Sequence, residues 1–374
     1  MIVPKISDIV GIINKIAPFA DAETWDNVGL QVGSPAAPAG RIMVALDPCR
    51  EAIEEAIANR CQLLLTHHPL IFTPLKKISL AEPGGNLIAL LIKNDIAVVS
   101  LHTNYDAAKG GVNDLLAERL GLDSVEPLRQ GGGETLVKLV IFVPEGHEAA
   151  ILEALSPYSG FIGNYSDCSF RVAGKGTFRP KEGATPFVGE IGRREEVCEN
   201  RVEVLLRQAD LAIAINALRK VHPYEEPAFD IYPLLNKGEP SGLGRIGRLA
   251  GDCTLETFAA MVRDNLKIQG IRYVGEAGRK VRKVALCGGS GASLLREAIF
   301  RGADVLVTGD VKYHEAREAE AAGLALIDAG HFGTELPMVA GLAAQLNKEF
   351  GKRGFQAEIL CCSCEKEPFR YLME

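Results

Sequence analysis

Apolar positions along this chain recur with two periods, one helical and one extended. Residues 6–18, ISDIVGIINKIAP, repeat isoleucine at spacings of three and four and predict an amphipathic helix. RIMVALD (41–47) is a short apolar run suited to a buried strand, and REAIEEAIANR (50–60) returns to helical spacing. The alternation continues through CQLLLTHHP (61–69), GGNLIALLIKND (84–95), IAVVSLH (96–102) and GVNDLLAERLGL (111–122). Alternating strands and helices with short connections predict a mainly parallel sheet covered by helices. Chemistry is then expected at the carboxyl ends of the strands.

The pattern changes at Gln130-Gly-Gly-Gly133. Beyond it come a strand (TLVKLVIFVP), a helix (HEAAILEALSP), a Gly- and Arg-rich strand (SFRVAGKGTFRP), a strand running into a helix (201–223) and a last strand (AFDIYPL). The order β-α-β-β-α-β is the ferredoxin-like arrangement. NKGEPSGLGRIG (236–247) reads as a second linker by composition. After it the βα pattern resumes with KVALCGG, SLLREAIFRG, ADVLVTGD, HEAREAEAAG, LALIDAGH and ELPMVAGLAAQLNKEF. The expected fold is α/β: a discontinuous core of two βα halves, 1–128 and 239–374, with a smaller α+β domain inserted at 129–238.

The two halves resemble each other. Residues 55–68 (EAIANRCQLLLTHH) align with 297–310 (EAIFRGADVLVTGD), with Glu, Ala, Ile and Thr coinciding. IAVVSLHTNYD and LALIDAGHFGTE each place H-x-x-x-acid after a strand, so His102 overlays His331 and Asp106 overlays Glu335. An internal duplication is the expectation.

Composition narrows the function classes. At 374 residues more than one core is expected, and 47% apolar with 24% charged residues is ordinary for a globular protein. A net charge of −7 disfavours nucleic acid as partner. The longest apolar stretch, LIALLIKNDIAVVSL, is interrupted by Lys93, Asn94 and Asp95, so no membrane span is expected. The N-terminus lacks a signal-peptide pattern, and nine unevenly spaced cysteines fit reduced thiols. A cytoplasmic location is expected.

Five of the seven histidines lie outside the insert: His67, His68, His102, His314 and His331. Strand-end His67 and His68, with Asp106, His331 and Glu335, make three imidazoles and two carboxylates. That donor set suits Zn²⁺, Mn²⁺ or Fe²⁺. Adjacent histidines at a turn splay apart and supply one ligand to each of two ions more readily than both to one. A carboxylate can bridge ions about 3.5 to 4 Å apart.

AETWDNVGLQVG, LLLTHHPLIF, SLHTNYD, LVTGDVKYHEA and DAGHFGTE, in that order, resemble the NIF-three-like dinuclear metal-centre family, whose bacterial members are often labelled GTP cyclohydrolase type-two homologues. GNYSDCSFRVAGKGTFRP with HPYEEPAFDIYP resembles the PII-like insert of its longer members. The resemblance implies two divalent ions per subunit, one held by His68, Asp106 and Glu335 and the other by His67, His331 and Glu335. It also implies a homohexamer and a hydrolase in which a metal-bound hydroxide attacks, with a purine nucleotide such as GTP as substrate. His102 and His314 are the candidates to move protons. The alternative is a non-catalytic protein that stores, delivers or senses metal, with a ligand-sensing insert.

The remaining motifs have blander readings. Gly288-Gly-Ser-Gly291 fits no phosphate-loop pattern and reads as a tight turn. Asp310 and Lys312 divide between site contacts and helix capping. Cys361, Cys362 and Cys364 read as buried small residues at a strand end. His222 with Glu225 and Glu226 reads as a rigid turn between Pro223 and Pro227, and Trp25 as packing the first helix on the sheet. Arg245 and Arg248 are either surface charges or contacts for an anionic substrate.

Overall fold

The computed structural model describes residues 2–131, 135–238, 241–370 and 372. Gly132 and Gly133 of the first expected junction, and Glu239 and Pro240 of the second, lie outside the described residues. The chain divides into two compact units, Met1–Gly131 with Ser241–Glu374, and Gly132–Pro240.

The first unit holds two sheets. One has five strands in the order Gly29–Val32, Ala97–Ser100, Leu63–Thr66, Arg41–Ala45, Glu358–Cys361. All its neighbours are parallel except the first pair. Its central strands are buried along almost their whole length, which is why they read as unbroken apolar runs. Helices Ile6–Ile16 and Pro337–Arg353 cover one face, burying Ile9, Ile13, Leu342 and Leu346. Helices Arg50–Ala58 and Pro83–Lys93 cover the other.

The second sheet has six strands in the order Arg272–Val274, Ala325–Asp328, Val305–Thr308, Lys280–Leu286, Gly242–Thr254, Asp123–Gln130. Only the Lys280, Val305 and Ala325 strands are mutually parallel, so the sheet is mixed where a mainly parallel one was expected. Part of the expected second linker is strand Gly242–Thr254. Its glycines are there for close approach: a Cβ at Gly244 would lie 2.7 Å from Leu286 O, and φ at that residue is +63°.

In each sheet three parallel strands follow in chain order, and an antiparallel strand that precedes them in sequence lies beside the third. The Leu63–Thr66 and Val305–Thr308 strands are 242 positions apart.

Arg245 is neither a surface charge nor a ligand contact. It is buried, and its guanidinium donates to both Asp114 oxygens (2.5 and 3.1 Å) and to the carbonyls of Gly242, Gly244 and Ala108. Arg248, three places on and therefore on the opposite face, is exposed. The C-terminal thiols also differ from expectation, with Cys361 exposed and Cys362 and Cys364 half-buried.

The second unit is a four-stranded antiparallel sheet in the order Ser169–Phe178, Glu195–Arg207, Thr135–Pro144, Phe229–Lys237. Helices Glu148–Leu155 and Leu211–Val221 close its core over Leu139, Ile141, Val202 and Val204. The chain order is β-α-β-β-α-β. His222 holds a turn here, accepting from Tyr224 N and donating to Phe142 O.

Candidate metal centre

The site forms where strands of the first unit end. After Thr66 the chain turns, fixed by the Thr66 hydroxyl on Ser100 Oγ (2.9 Å) and His68 O (2.8 Å). The two following rings splay at 56° with centroids 5.0 Å apart. His67 goes inward and is fully buried; its Nδ1 donates to Leu101 O (2.8 Å), which leaves Nε2 for the centre. That Nε2 stands 3.6 Å from Asp106 Oδ1, on helix Thr103–Ala107, and 3.6 Å from Glu335 Oε1. His68 goes outward, its Nδ1 held by Asp47 (2.8 Å) and its Nε2 3.1 Å from Glu335 Oε2.

His331 and Glu335 sit one turn apart on helix His331–Glu335. His331 Nε2 lies 3.1 Å from Glu335 Oε2 and 3.2 Å from His68 Nε2, while its Nδ1 is held by Asp310 (2.7 Å). The donors thus converge as two groups, His67, Asp106, Glu335 and His68, His331, Glu335. The partition implied by family resemblance exchanges the partners of His67 and His68. In this structure the inward ring meets Asp106 and the outward ring meets His331. Glu335 belongs to both groups, one oxygen facing each.

His67 Nε2 and Asp106 Oδ1 are buried without a hydrogen-bond partner and stand 3.6 Å apart. Each such orphan costs about 1–3 kcal/mol, so their coincidence in one place calls for something to satisfy them. Two ligands about 2.1 Å from one tetrahedral ion stand about 3.4 Å apart, close to the 3.1–3.6 Å spacings here. The residues fit divalent ions of the zinc class.

Electrostatics agree. Burial would raise the Glu335 carboxyl, but His67, His331 and His68 hold it well below the usual range. Burial pushes Asp106 up to about 6 despite His67. Burial works to lower His68, yet Asp47 and Glu335 raise it to about 10; at His331 the Glu335 hydrogen bond, opposed by burial, raises it to about 9. In the metal-free protein both rings are therefore protonated at neutral pH, and an ion must displace those protons. Apparent metal affinity is expected to rise about tenfold per pH unit for each proton displaced, up to pH 9–10 and not merely to 6.5. Calorimetry in buffers of different ionisation enthalpy measures the release; binding without proton release would contradict the assignment.

Asp47 and Asp310 orient His68 and His331 through Nδ1, the usual carboxylate–histidine–metal arrangement. Neither Asp47→Ala nor Asp310→Ala removes a ligand, yet each is expected to weaken metal binding about 10–100-fold, read as Kd by competition with a chelator. Asp310 is thus a site contact, whereas Lys312 caps the next helix with Glu315. A ring nitrogen of His102 lies within 4.8 Å of the ligand atoms of His67 and His68, and its Nδ1 is held by Asp26 (2.9 Å). Burial would raise Asp26, but His102 and Thr103 bring it down to about 2. His314 is exposed against Tyr313 and joins neither ligand group.

Trp25 does not pack the first helix. It is 57% exposed, its ring 5.9 Å from Phe72 and 6.0 Å from His102. Gly288-Gly-Ser-Gly291 is a turn whose amides at 288, 289 and 291 are taken by Asn113, Thr334 and Thr308. A Cβ at Gly289, where φ is +60°, would lie 2.1 Å from Glu335 Oε1. Asp26, Asp47 and Gly289 are the residues of the site that sequence reasoning missed.

Among the described residues no helix is long and apolar enough to cross a membrane. A Bacillus subtilis protein named GTP cyclohydrolase 1 type 2 homolog is 41% identical over 365 residues, 97% of this chain and 98% of that one. A Listeria innocua protein of the same name is 35% identical over 366 residues, with the same two coverages. The crystal structure of a Bacillus cereus protein related to NIF3 superposes with a TM-score of 0.91 at 41% identity over the whole of both chains. That of a Staphylococcus aureus protein gives 0.75 at 30%, again over both chains entirely. The Duf34/NIF3 (NGG1p interacting factor 3) family model matches residues 4–368, and with motifs, fold and relatives in agreement along its length, the chain belongs to that family.

Proposed function

We propose that this protein is a dinuclear metal-dependent hydrolase, with His67, Asp106 and Glu335 around one ion, His68, His331 and Glu335 around the other, and Glu335 bridging. The observation that carries this reading is the convergence of five donor side chains as two groups that share Glu335, with buried His67 Nε2 and Asp106 Oδ1 left without a hydrogen-bond partner. Zinc is the first choice for this donor set, with iron and manganese next. When bound, the ions supply Lewis acidity and an acidified water at neutral pH. The protein's own part is to fix the ligand rings through Leu101 O, Asp47 and Asp310, and to present His102, aligned by Asp26, as the group that moves a proton at Nε2. His314, exposed and outside both groups, is the weaker candidate.

The name borne by the relatives suggests a purine nucleotide as the first substrate to test. Two further features extend the reading. Each sheet repeats three parallel strands and an antiparallel neighbour, which supports a duplicated core. The β-α-β-β-α-β unit supports a PII-like insert that reads a small ligand. We place the protein in the cytoplasm as a homohexamer, in line with family resemblance.

The deciding experiment loads the full chain with zinc, manganese or iron and screens purine nucleotides and phosphoesters, following release of formate and phosphate. Turnover that requires bound metal is expected. Two firmly held ions without turnover of any substrate would overturn the hydrolase in favour of metal storage or sensing.

A further inference from the structure

We infer that Cys362, Cys364 and Glu55 form a separate thiolate–carboxylate site for one thiophilic divalent ion, of the class of zinc or cadmium. Strand Glu358–Cys361 runs parallel to Arg41–Ala45 and hands its last amide, Cys362 N, to Val44 O (2.8 Å). The chain then bends around Glu55, which projects from helix Arg50–Ala58. The Glu55 carboxylate accepts from Ser363 N (3.1 Å), Ser363 Oγ (2.8 Å) and Cys364 N (3.0 Å). That bend brings the two sulfurs of the C-x-C within 3.4 Å of each other and Cys362 Sγ within 3.3 Å of Glu55 Oε2.

The arrangement is that of ligands sharing one ion. Two sulfurs bound at about 2.3 Å to a tetrahedral ion stand about 3.8 Å apart, a few tenths of an ångström beyond the spacing seen. Thiols serving only as small apolar residues would gain nothing from a carboxylate against the sulfur. The donors to Glu55 are all uncharged, so no cationic side chain among them neutralises it. Glu365, next along the chain, is tied to the amides of Leu46 and Asp47 and is not one of the three ligands. Sulfur donors select against magnesium and calcium and distinguish this site from the nitrogen–oxygen centre.

Cys362, Cys364 and Glu365 line a cavity of about 1590 Å³ that is also lined by His68 and Asp47. An ion at the thiol site therefore shares a solvent space with the dinuclear centre while using none of its ligands. The site can be filled or emptied independently of the centre.

The test is Cd²⁺ titration of the full chain, reduced with a phosphine, following the ultraviolet thiolate-to-cadmium charge-transfer band. One equivalent of band-forming Cd²⁺ is expected in the wild type and in Glu335→Ala, and loss of the band in the double variant Cys362→Ser, Cys364→Ser. A wild type without the band, or a double variant that keeps it, would overturn the site. Should the double variant fail to fold, alkylation of the wild type with and without Cd²⁺, mapped by peptide mass, decides instead. Cys362 and Cys364 must be protected together, and equal alkylation in both samples would overturn the proposal.

Discussion

Glu335→Ala is expected to empty both metal positions together. Every other ligand serves one group, whereas the two oxygens of Glu335 face different histidines and its carboxyl is almost wholly buried. Its loss leaves His67 with Asp106 and His68 with His331, two donors each, too few to close a tetrahedral site. Since removing a residue that merely orients a ligand weakens binding about 10–100-fold, losing a shared ligand is expected to exceed roughly 100-fold at both positions. Asp106→Ala is the control, expected to empty only the His67 position. Mass-spectrometric metal content after desalting separates the cases. Retention of a full ion in Glu335→Ala would show that the carboxylate does not bridge. Thermal midpoints of the metal-free proteins guard against a simple folding defect.

Arg245→Met is expected to give the largest loss of stability of any single substitution considered. The guanidinium lies in the interior, and its removal strands the Asp114 carboxylate and several backbone carbonyls at once. Breaking a buried ion pair from one side costs about 3–5 kcal/mol; Asp114 is about a quarter exposed, which favours the lower end. At about 2–4 °C per kcal/mol, the midpoint should fall by roughly 6–12 °C in a thermal melt. Arg245→Lys should recover little, because an ammonium cannot replace a planar fork aimed at two carboxylate oxygens. A shift below about 2 °C would contradict this role. The same arginine holds Ala108 O, two residues past Asp106, so metal content at the His67 position should fall with it.

The sequence disclosed most where one periodicity was satisfied by one environment. Strands such as Leu63–Thr66 are buried on both faces and helices such as Ile6–Ile16 on one, so both announce themselves. It disclosed least where glycine serves close approach: 242–247 has the composition of a linker, yet the glycines there let a strand lie tightly against its neighbours. Arg245 and Arg248 look alike in sequence and differ only because an odd spacing on a strand reverses the face. At the site, the residues read as ligands were visible because histidines and acids recur after strands. Their grouping in space was not, since it depends on how the chain turns after Thr66. Asp47 carries no pattern of its own, and Asp26 lies in AETWDNVGLQVG without being read as part of the site; the distance of each to a histidine Nδ1 gives it meaning.

Strands Asp123–Gln130 and Gly242–Thr254 are antiparallel neighbours, joined up to Gly131 N on Ser241 O at 2.8 Å. Topologically they are the two arms of one hairpin, and the chain between them carries the second unit. Because closing a longer loop costs only logarithmically more entropy, such a hairpin tolerates a whole folded unit where two to five residues would suffice. None of the ligands or their orienting carboxylates falls in that interval. Lengthening, exchanging or excising what lies between the arms is therefore a change evolution can make repeatedly without rebuilding the metal centre.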